Sequence, residues 1–540
     1  MSGGPIIFGG VPALVSVGKP SVSQIIRAGE KTACRWRFQL DEFTWHSFVE
    51  HLADDPAVFV GLWCDGSQIH VLVNDGSSAE SGVRPIMASC TLDGPRYPGV
   101  SHVRVAAVPF ERMIRDLYGV EAMDAVNARP LIDHGMWTST APLARRSGPR
   151  SFGTDLPEFD PPDEWVAAHG MVFGKGPATG STEGPVHFRL GVADGVIRTV
   201  ETRAGYAHRG LIARMRDATI TGALELAGRI GAGSAVAHQW AFSAAVENAV
   251  GISCPVPATW CRVIFCETER IAMHLLTLAR TARAADAELV SSGLYRLREQ
   301  ILRLCGEASG RRLLMDCVCV GGVIVTRHQE RGDPIGPLQT VAALGREIVC
   351  LSEVRIRELH SLWRVIPGLK HRLQCAGRLT GEQAKKLELQ GVAGRACGYG
   401  GDFRLHMDAY EDVSFRQAIS TGGDVAARCE IMFEEIGESL KILKTLADRI
   451  SAGEEKGPED LCAVVPVRPE HSEGYAVIEG PHGPVWHVVT VQNGLVEQCF
   501  IADPASTLLM AAEQAILGTS PDNFDLVRCS FGVSIAAADL

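Results

Sequence analysis

At 540 residues the chain is longer than one hydrophobic core usually organises, so two or more domains are expected. Its 46% hydrophobic and 21% charged residues are those of a globular protein, and a net charge of -11 argues against a nucleic-acid-binding surface. The first twenty residues lack a basic region followed by an apolar core and a small-residue cleavage site, so no secretory signal is read and a cytoplasmic location is expected.

In chain order, period-two patterning comes first. Val58, Val60 and Leu62, the turn Asp65-Gly66-Ser67, then Ile69, Val71 and Val73 read as a β-hairpin, with two more extended candidates at 85–92 and 102–109. Residues 1–145 are therefore expected to form a small α+β domain. A stretch with Pro149, Pro157, Pro161 and Pro162 marks a linker at 146–163. From 164 to 540 the pattern turns mainly helical. Ile264, Ile271, Leu275, Leu278 and Ala282 fall at helical spacing, as do Met432, Ile436, Leu440 and Leu443, and a third long helix is expected from 336 to about 364. Alternation returns at 476–501 around Gly480-Pro481-His482-Gly483, so a small sheet is expected there. The longest apolar run, 313–325, is broken by Asp316 and too short to cross a bilayer, so membrane contact is expected only through partners. Cys317 and Cys319 in that run, like most of the sixteen cysteines, read as small buried hydrophobes, in a strand.

Several motifs carry a family resemblance. Glu111-Arg112, Asp116 and Gly119, followed by Arg129-Pro130 and Asp133-His134-Gly135, resemble the signature of the 30-kDa subunit of respiratory complex I; alone, such a helix reads as a solvated face. Further on come Gly184 to His187, His208-Arg209-Gly210, Arg262 with Glu267, Arg270 and His274, Gly321-Gly322, Gly394-Arg395, Asp402 with Arg404, and Gly423-Asp424 with Arg428. In this order they resemble the complex I 49-kDa subunit and its relatives, the large subunits of nickel-iron hydrogenases. The fusion of both modules is similar to the large subunits of formate hydrogenlyase and hydrogenase-4.

The departures from that pattern are as informative as the matches. Where the hydrogenases carry R-x-C-G-x-C, this chain has Arg229, Gly231 and Ser234, and its tail holds the lone Cys529 in place of a C-x-x-C pair. Nickel and iron in that setting need soft thiolates, which glycine cannot supply and a protonated serine hydroxyl supplies very poorly. The tyrosine that meets quinone in complex I corresponds to Ala232, and the histidine loop there is shortened to end at His187. Ile212 stands where relatives have a glutamate. His482 replaces an arginine and brings a group that ordinarily titrates near neutral pH, although a surface or structural histidine is the simpler reading.

The resemblance implies an α+β fold with a mainly helical large domain carrying small peripheral sheets. It implies a large-subunit-like component of a membrane-associated respiratory or energy-converting complex, peripheral to the inner face of the cytoplasmic membrane, beside an iron-sulfur small subunit and antiporter-like membrane subunits. On this reading the chain serves assembly and redox/ion-translocation coupling, binds no cofactor or metal itself, and leaves the iron-sulfur cluster to its partner. The enzymatic alternative is an NADH-quinone type oxidoreductase subunit with a rearranged quinone pocket around His187, His208 or His238. Candidate cavity or relay residues are His187, His208, Arg209, His238, Arg262, Glu267, Arg270, His274, Asp402 and Arg404. Glu267, Arg270 and His274 share one helix face by spacing, which also fits a buried ion-pair network that orients helices.

Overall fold

The computed structural model describes residues 19–75, 82–144, 147–149, 167–168, 171–178, 184–325, 336–453 and 461–540. The linker expected at 146–163 lies outside these residues except for 147–149, as does most of the amino-terminal stretch searched for a signal.

The first module opens with α1 (Val22–Ala28), started by a capping box in which Ser21 and Gln24 exchange side-chain and backbone hydrogen bonds. There follow β1 (Glu30–Lys31), β2 (Arg37–Leu40), α2 (Glu42–Leu52), β3 (Val58–Cys64), β4 (Gln68–Asn74) and β5 (Pro85–Thr91). The sheet runs β1-β2-β5-β4-β3, with β2 and β5 parallel and the other pairs antiparallel. The β3–β4 hairpin is the one expected, and the Asp65 carboxylate closes its turn by accepting from the backbone N–H groups of Ser67 and Gln68.

The extended segment expected at 102–109 is instead a 3-10 turn at Val105–Ala107 running into α3 (Val108–Tyr118). Pro109 sits in the first turn, where its missing N–H costs nothing, and Gly119 closes the helix at a φ of 67°. The short alternation of Val103, Val105 and Ala107 is thus overridden by a helix-start signal. On α3 the complex I-like signature faces inward and does structural work. Buried Glu111 accepts from Val100 N at 2.6 Å and Ser101 N at 2.8 Å, and Asp116 accepts from Leu131 N and Ile132 N at 2.8 Å. Arg112 donates to the carbonyls of Arg129 and Pro130, so the second half of the signature is laced to the first.

The second module begins with the antiparallel strands β6 (Met171–Lys175), β7 (His187–Ala193) and β8 (Val196–Arg203), followed by β9 (Ala218–Thr219). Its helical core comprises α4 (Ala235–Val250), α5 (Val256–Ala284), α6 (Glu288–Ser309), α7 (Pro337–Val365) and α8 (Val425–Ala452). The apolar residues expected at helical spacing on α5 and α8 are all buried, and α5 packs against α4, α6, α7 and α8. The run 313–325 is less regular than a strand: β10 (Val318–Cys319) and β11 (Gly322–Val323) form a minimal hairpin, because Gly321 at φ 84° turns the chain back. Strands β12 (Ser472–Gly480), β13 (Gly483–Gln492) and β14 (Leu495–Ala502) join β9 in a four-stranded antiparallel sheet against α4, before α9 (Ala505–Ile516) and α10 (Ile535–Asp539). No helix among the described residues is long and apolar enough to cross a membrane.

The two modules share an apolar seam. Trp63 of β3 stacks on Phe500 of β14 with ring centroids 4.1 Å apart, and Gly61 leaves room for that ring, since a β-carbon there would sit 2.3 Å from it. Beside the seam, Arg104 meets the buried Glu388 at 2.7 Å while Phe59 N donates to the other carboxylate oxygen. Burial pushes the Glu388 carboxyl up to about 7 despite the guanidinium. Removing Arg104 would leave that carboxylate with no opposing charge in the seam. Arg104→Met is expected to destabilise the chain by about 3 kcal/mol, and adding Glu388→Gln to recover a good part of it. Equal thermal-unfolding midpoints for the single and double variants would contradict this account.

Candidate functional site

The side chains of α5 that face the sheet and α8 form a charged network inside the helical core. Glu267 receives Arg270 Nε at 3.2 Å, Arg404 Nη1 at 3.0 Å, Tyr410 Oη at 2.7 Å and Ser439 Oγ at 2.6 Å. Arg404 also holds Asp402 through both carboxylate oxygens, at 2.9 and 2.6 Å. A second cluster joins it: Arg395 donates to Glu435 and to Glu479, and His274 Nε2 lies 2.8 Å from Glu435. Arg270 reaches across to the carbonyls of Glu479 and Gly480, the last two residues of β12. Five of the expected residues, Glu267, Arg270, His274, Asp402 and Arg404, are therefore brought together, with Arg395, Glu435, Glu479, Tyr410 and Ser439 as members the spacing of the α5 residues did not announce.

Burial would raise every carboxyl here, and the guanidiniums decide which resist. Glu267 is held below its ordinary range by Arg270 and Arg404, Glu435 well below by Arg395 and His274, and Asp402 at about 2 by Arg404 and Arg395. Glu479 is the exception, pushed by burial and by neighbouring Asp402 up to about 7 although Arg395 opposes the shift. Three guanidiniums thus face four carboxyls, and Glu479 is the one whose affinity for a proton is raised rather than lowered.

His208 and Arg209 have a different task. His208 Nδ1 donates to the Asp539 carbonyl at 2.7 Å, while the Asp539 carboxylate accepts from Gly205 N and Ala207 N. The Arg209 guanidinium donates to Arg229, Ile230 and Ala536 carbonyls, tying the segment before Gly231 to the carboxy-terminal tail. This clamp decides what stands opposite Gly231. A β-carbon built on Gly231 would lie 3.1 Å from Ser234 Oγ, 3.2 Å from Ser534 Oγ and 3.4 Å from Ala537 Cβ. The tail residues facing the loop are thus Ser534 and Ala537, spaced three apart like Gly231 and Ser234, and not Cys529, which lies by Arg528 and Arg280. Two hydroxyls and a methyl group do not fit a nickel-iron centre, because at neutral pH they present no anionic soft donor.

A cavity of about 150 Å³ adjoins this meeting point, between loop 232–234, α5, α6, the turn at 480–483 and tail residues 532–534. Ala232 lines it, as does His482, whose ring presses so close to Gly532 that a β-carbon there would lie 2.4 Å away. Of the two readings of His482, the structural one is favoured: burial, with His274 adjacent, lowers its pKa to about 3.

The remaining candidates do not join the network or line this cavity. His238 donates from Nε2 to Asp503 at 3.0 Å and accepts on Nδ1 from His487 at 3.0 Å, a buried chain that only the fold assembles and that meets the cavity wall only through Asp503. Arg262 holds Glu247 through both oxygens and donates to the Cys319 and Gly322 carbonyls, fastening β10 and β11 onto α4 and α5. His187 opens β7, half-buried against Gly174, and burial with Arg203 lowers its pKa. His187, His208 and His238 are thus in three separate places.

Comparison with known proteins agrees with the order of the motifs. Residues 290–478 match the family described as respiratory-chain NADH dehydrogenase, 49 Kd subunit. The fused C/D polypeptide of NADH-quinone oxidoreductase from Bacteroides thetaiotaomicron is 28% identical over 429 residues, covering 75% of this chain and 78% of that protein. Formate hydrogenlyase subunit 5 of Escherichia coli is 27% identical over 371 residues, covering 66% of this chain and 63% of its own length. The D polypeptide of NADH-quinone oxidoreductase from Ehrlichia canis is 27% identical over 340 residues, covering 60% of this chain and 83% of that protein.

Two residues after Glu267, Glu269 points the other way and caps α4, accepting from Val236 N at 2.8 Å and Ala237 N at 3.1 Å. Burial pushes it up to about 8 against the pull of those N–H groups. The folded chain therefore keeps a proton that the unfolded chain releases above its ordinary value of 4.5, so this stabilisation is complete below pH 4.5 and is lost as pH rises through 8. At ~1.4 kcal/mol per unit, discounted for relaxation, the loss is on the order of 3 kcal/mol. Unfolding midpoints at pH 5, 6.5 and 8 are expected to fall less steeply in Glu269→Gln than in the parent chain; parallel slopes would refute it.

Proposed function

We propose that this chain, which is similar to the fused C/D polypeptide of NADH-quinone oxidoreductase and to formate hydrogenlyase subunit 5, serves a membrane-associated respiratory or energy-converting complex as an assembly and coupling subunit without a nickel-iron centre of its own. The observation that carries this reading is the set of side chains at Gly231: Ser234, Ser534 and Ala537, where the related hydrogenases need thiolates. Its partners are an iron-sulfur small subunit, which holds the cluster, and antiporter-like membrane subunits through which the chain sits at the inner face of the cytoplasmic membrane. The first module docks rather than reacts, since Glu111, Arg112 and Asp116 are spent on its own loops.

Coupling follows from the buried network. Glu479 sits at the turn that Arg270 grips and shares Arg395 with Glu435, so a charge gained or lost at a docked partner shifts its proton and the balance of Arg395 between two carboxylates. Such a shift moves α5, α8 and the turn at 480–483 together, because each contributes a member. The quinone-reactive alternative requires a headgroup donor at the cavity; Ala232 supplies none from its side chain, so that role would fall to other lining residues such as Ser234, Ser534 or Arg298.

Deleting residues 1–145 is expected to abolish co-purification of the iron-sulfur subunit; full recovery of that partner by the truncated chain would remove the docking role. Protein produced with a complete set of hydrogenase maturation factors is expected to contain no stoichiometric nickel and to show no hydrogen-dependent dye reduction, and about one nickel per chain with hydrogen uptake would overturn the assignment. A ubiquinone or menaquinone analogue is expected to leave the melting temperature of the purified complex unchanged. Saturable binding lost in His187→Ala would favour the oxidoreductase reading instead.

A further inference from the structure

We propose that the cavity between loop 232–234 and tail residues 532–534 is a binding site for a small oxyanion, a carboxylate or inorganic oxyanion of about four or five heavy atoms. The proposal rests on this cavity alone and stands or falls apart from the assembly role.

Size limits the occupant first. A volume of about 150 Å³ holds roughly five water-sized groups at about 30 Å³ each, well under the 300 Å³ or more typical of pockets for drug-sized ligands.

Charge selects its sign. Arg280 of α5 and Arg298 of α6 both line the wall, from adjacent helices. The pKa of each guanidinium is lowered first by burial, and that of Arg298 also by the charge of Arg280. Arg298 Nε has no hydrogen-bond partner among the described residues. Asp503, the carboxylate on the same wall, is committed to Ala505 N at 2.7 Å and to His238 at 3.0 Å. Among the described residues that line it, two side chains are guanidiniums and the one carboxylate is already engaged, so a cation is disfavoured there.

Hydrogen bonding then asks for an acceptor. Ser234 and Ser534 both line the cavity, and their hydroxyl oxygens lie 3.1 and 3.2 Å from the point where a Gly231 β-carbon would stand, so the two hydroxyls converge on one corner of it. Nε2 of His482, on the same wall, is buried without a partner among the described residues. Buried polar atoms left unpaired cost about 1–3 kcal/mol each. Two hydroxyls, an imidazole nitrogen and a guanidinium are satisfied together by a compact ligand with several acceptor oxygens and a negative charge.

The test uses the full-length chain, with isothermal calorimetry and thermal unfolding in sodium acetate, bicarbonate, sulfate and phosphate, each against sodium chloride at equal ionic strength. At least one oxyanion is expected to bind saturably and raise the melting temperature above the chloride control. Arg298→Gln is expected to weaken that binding at least tenfold and Ser534→Ala severalfold. Should Arg298→Gln fail to fold, Ser534→Ala alone decides, since it removes a hydroxyl and leaves the helical core intact. Absence of binding by all four anions beyond chloride overturns the proposal, as does undiminished affinity in the folded variants.

Discussion

The carboxylate of Glu267, fully buried at the middle of α5, is the constraint around which the large module is arranged. An uncompensated carboxylate in that environment would cost several kcal/mol, so the fold has to deliver donors from wherever the chain holds them. Arg270 comes from the same helix one turn on, Arg404 and Tyr410 from the segment after Gly400, and Ser439 from α8. Once Arg404 is committed, Asp402 must balance its remaining N–H groups, and once Arg395 enters, Glu435 and Glu479 follow. The position of the turn at 480–483, and with it one wall of the cavity, is thereby set by charge compensation rather than by apolar packing alone.

A second constraint is the clamp at the other end of that cavity. Arg209 spends its guanidinium on three backbone carbonyls from two distant segments, and Arg428 similarly ties Gly423, Gly377 and Ser530 together. These arginines make no ion pair among the described residues; they satisfy carbonyls that an irregular loop and tail leave without helical or strand partners. The consequence is a tail held in register with loop 231–234, so that residues spaced three apart on each segment face one another. The groups that meet there are the hydroxyls of Ser234 and Ser534 and the methyl group of Ala537.

Much of this was legible in the amino-acid order, and the parts that were not share a cause. Helices α5, α7 and α8 and strands β3, β4, β12, β13 and β14 follow from apolar periodicity and turn residues, since those signals act within a few positions of each other. The face shared by Glu267, Arg270 and His274 was available from spacing, whereas the missing thiolates at Gly231 and Ser234 and the meaning of the motif order came from the family resemblance. Residues 102–109 were misleading because four alternating residues carry less information than the Pro109 and Gly119 that bound the helix. Cys529 was the natural tail position to consider, being the lone thiol.

Only the tertiary structure decided which partners the charges take. That Ser534 and Ala537, not Cys529, stand opposite Gly231, that His238 joins His487 and Asp503, that Glu269 turns away from Glu267 to cap α4, and that His482 is held neutral at about 3 all depend on contacts between residues tens to hundreds of positions apart. Local periodicity states which side chains are buried. Which group answers each buried charge, and therefore what chemistry a cavity offers, is a property of the packed whole, because a desolvated polar atom is satisfied by proximity in space and not by position in the chain.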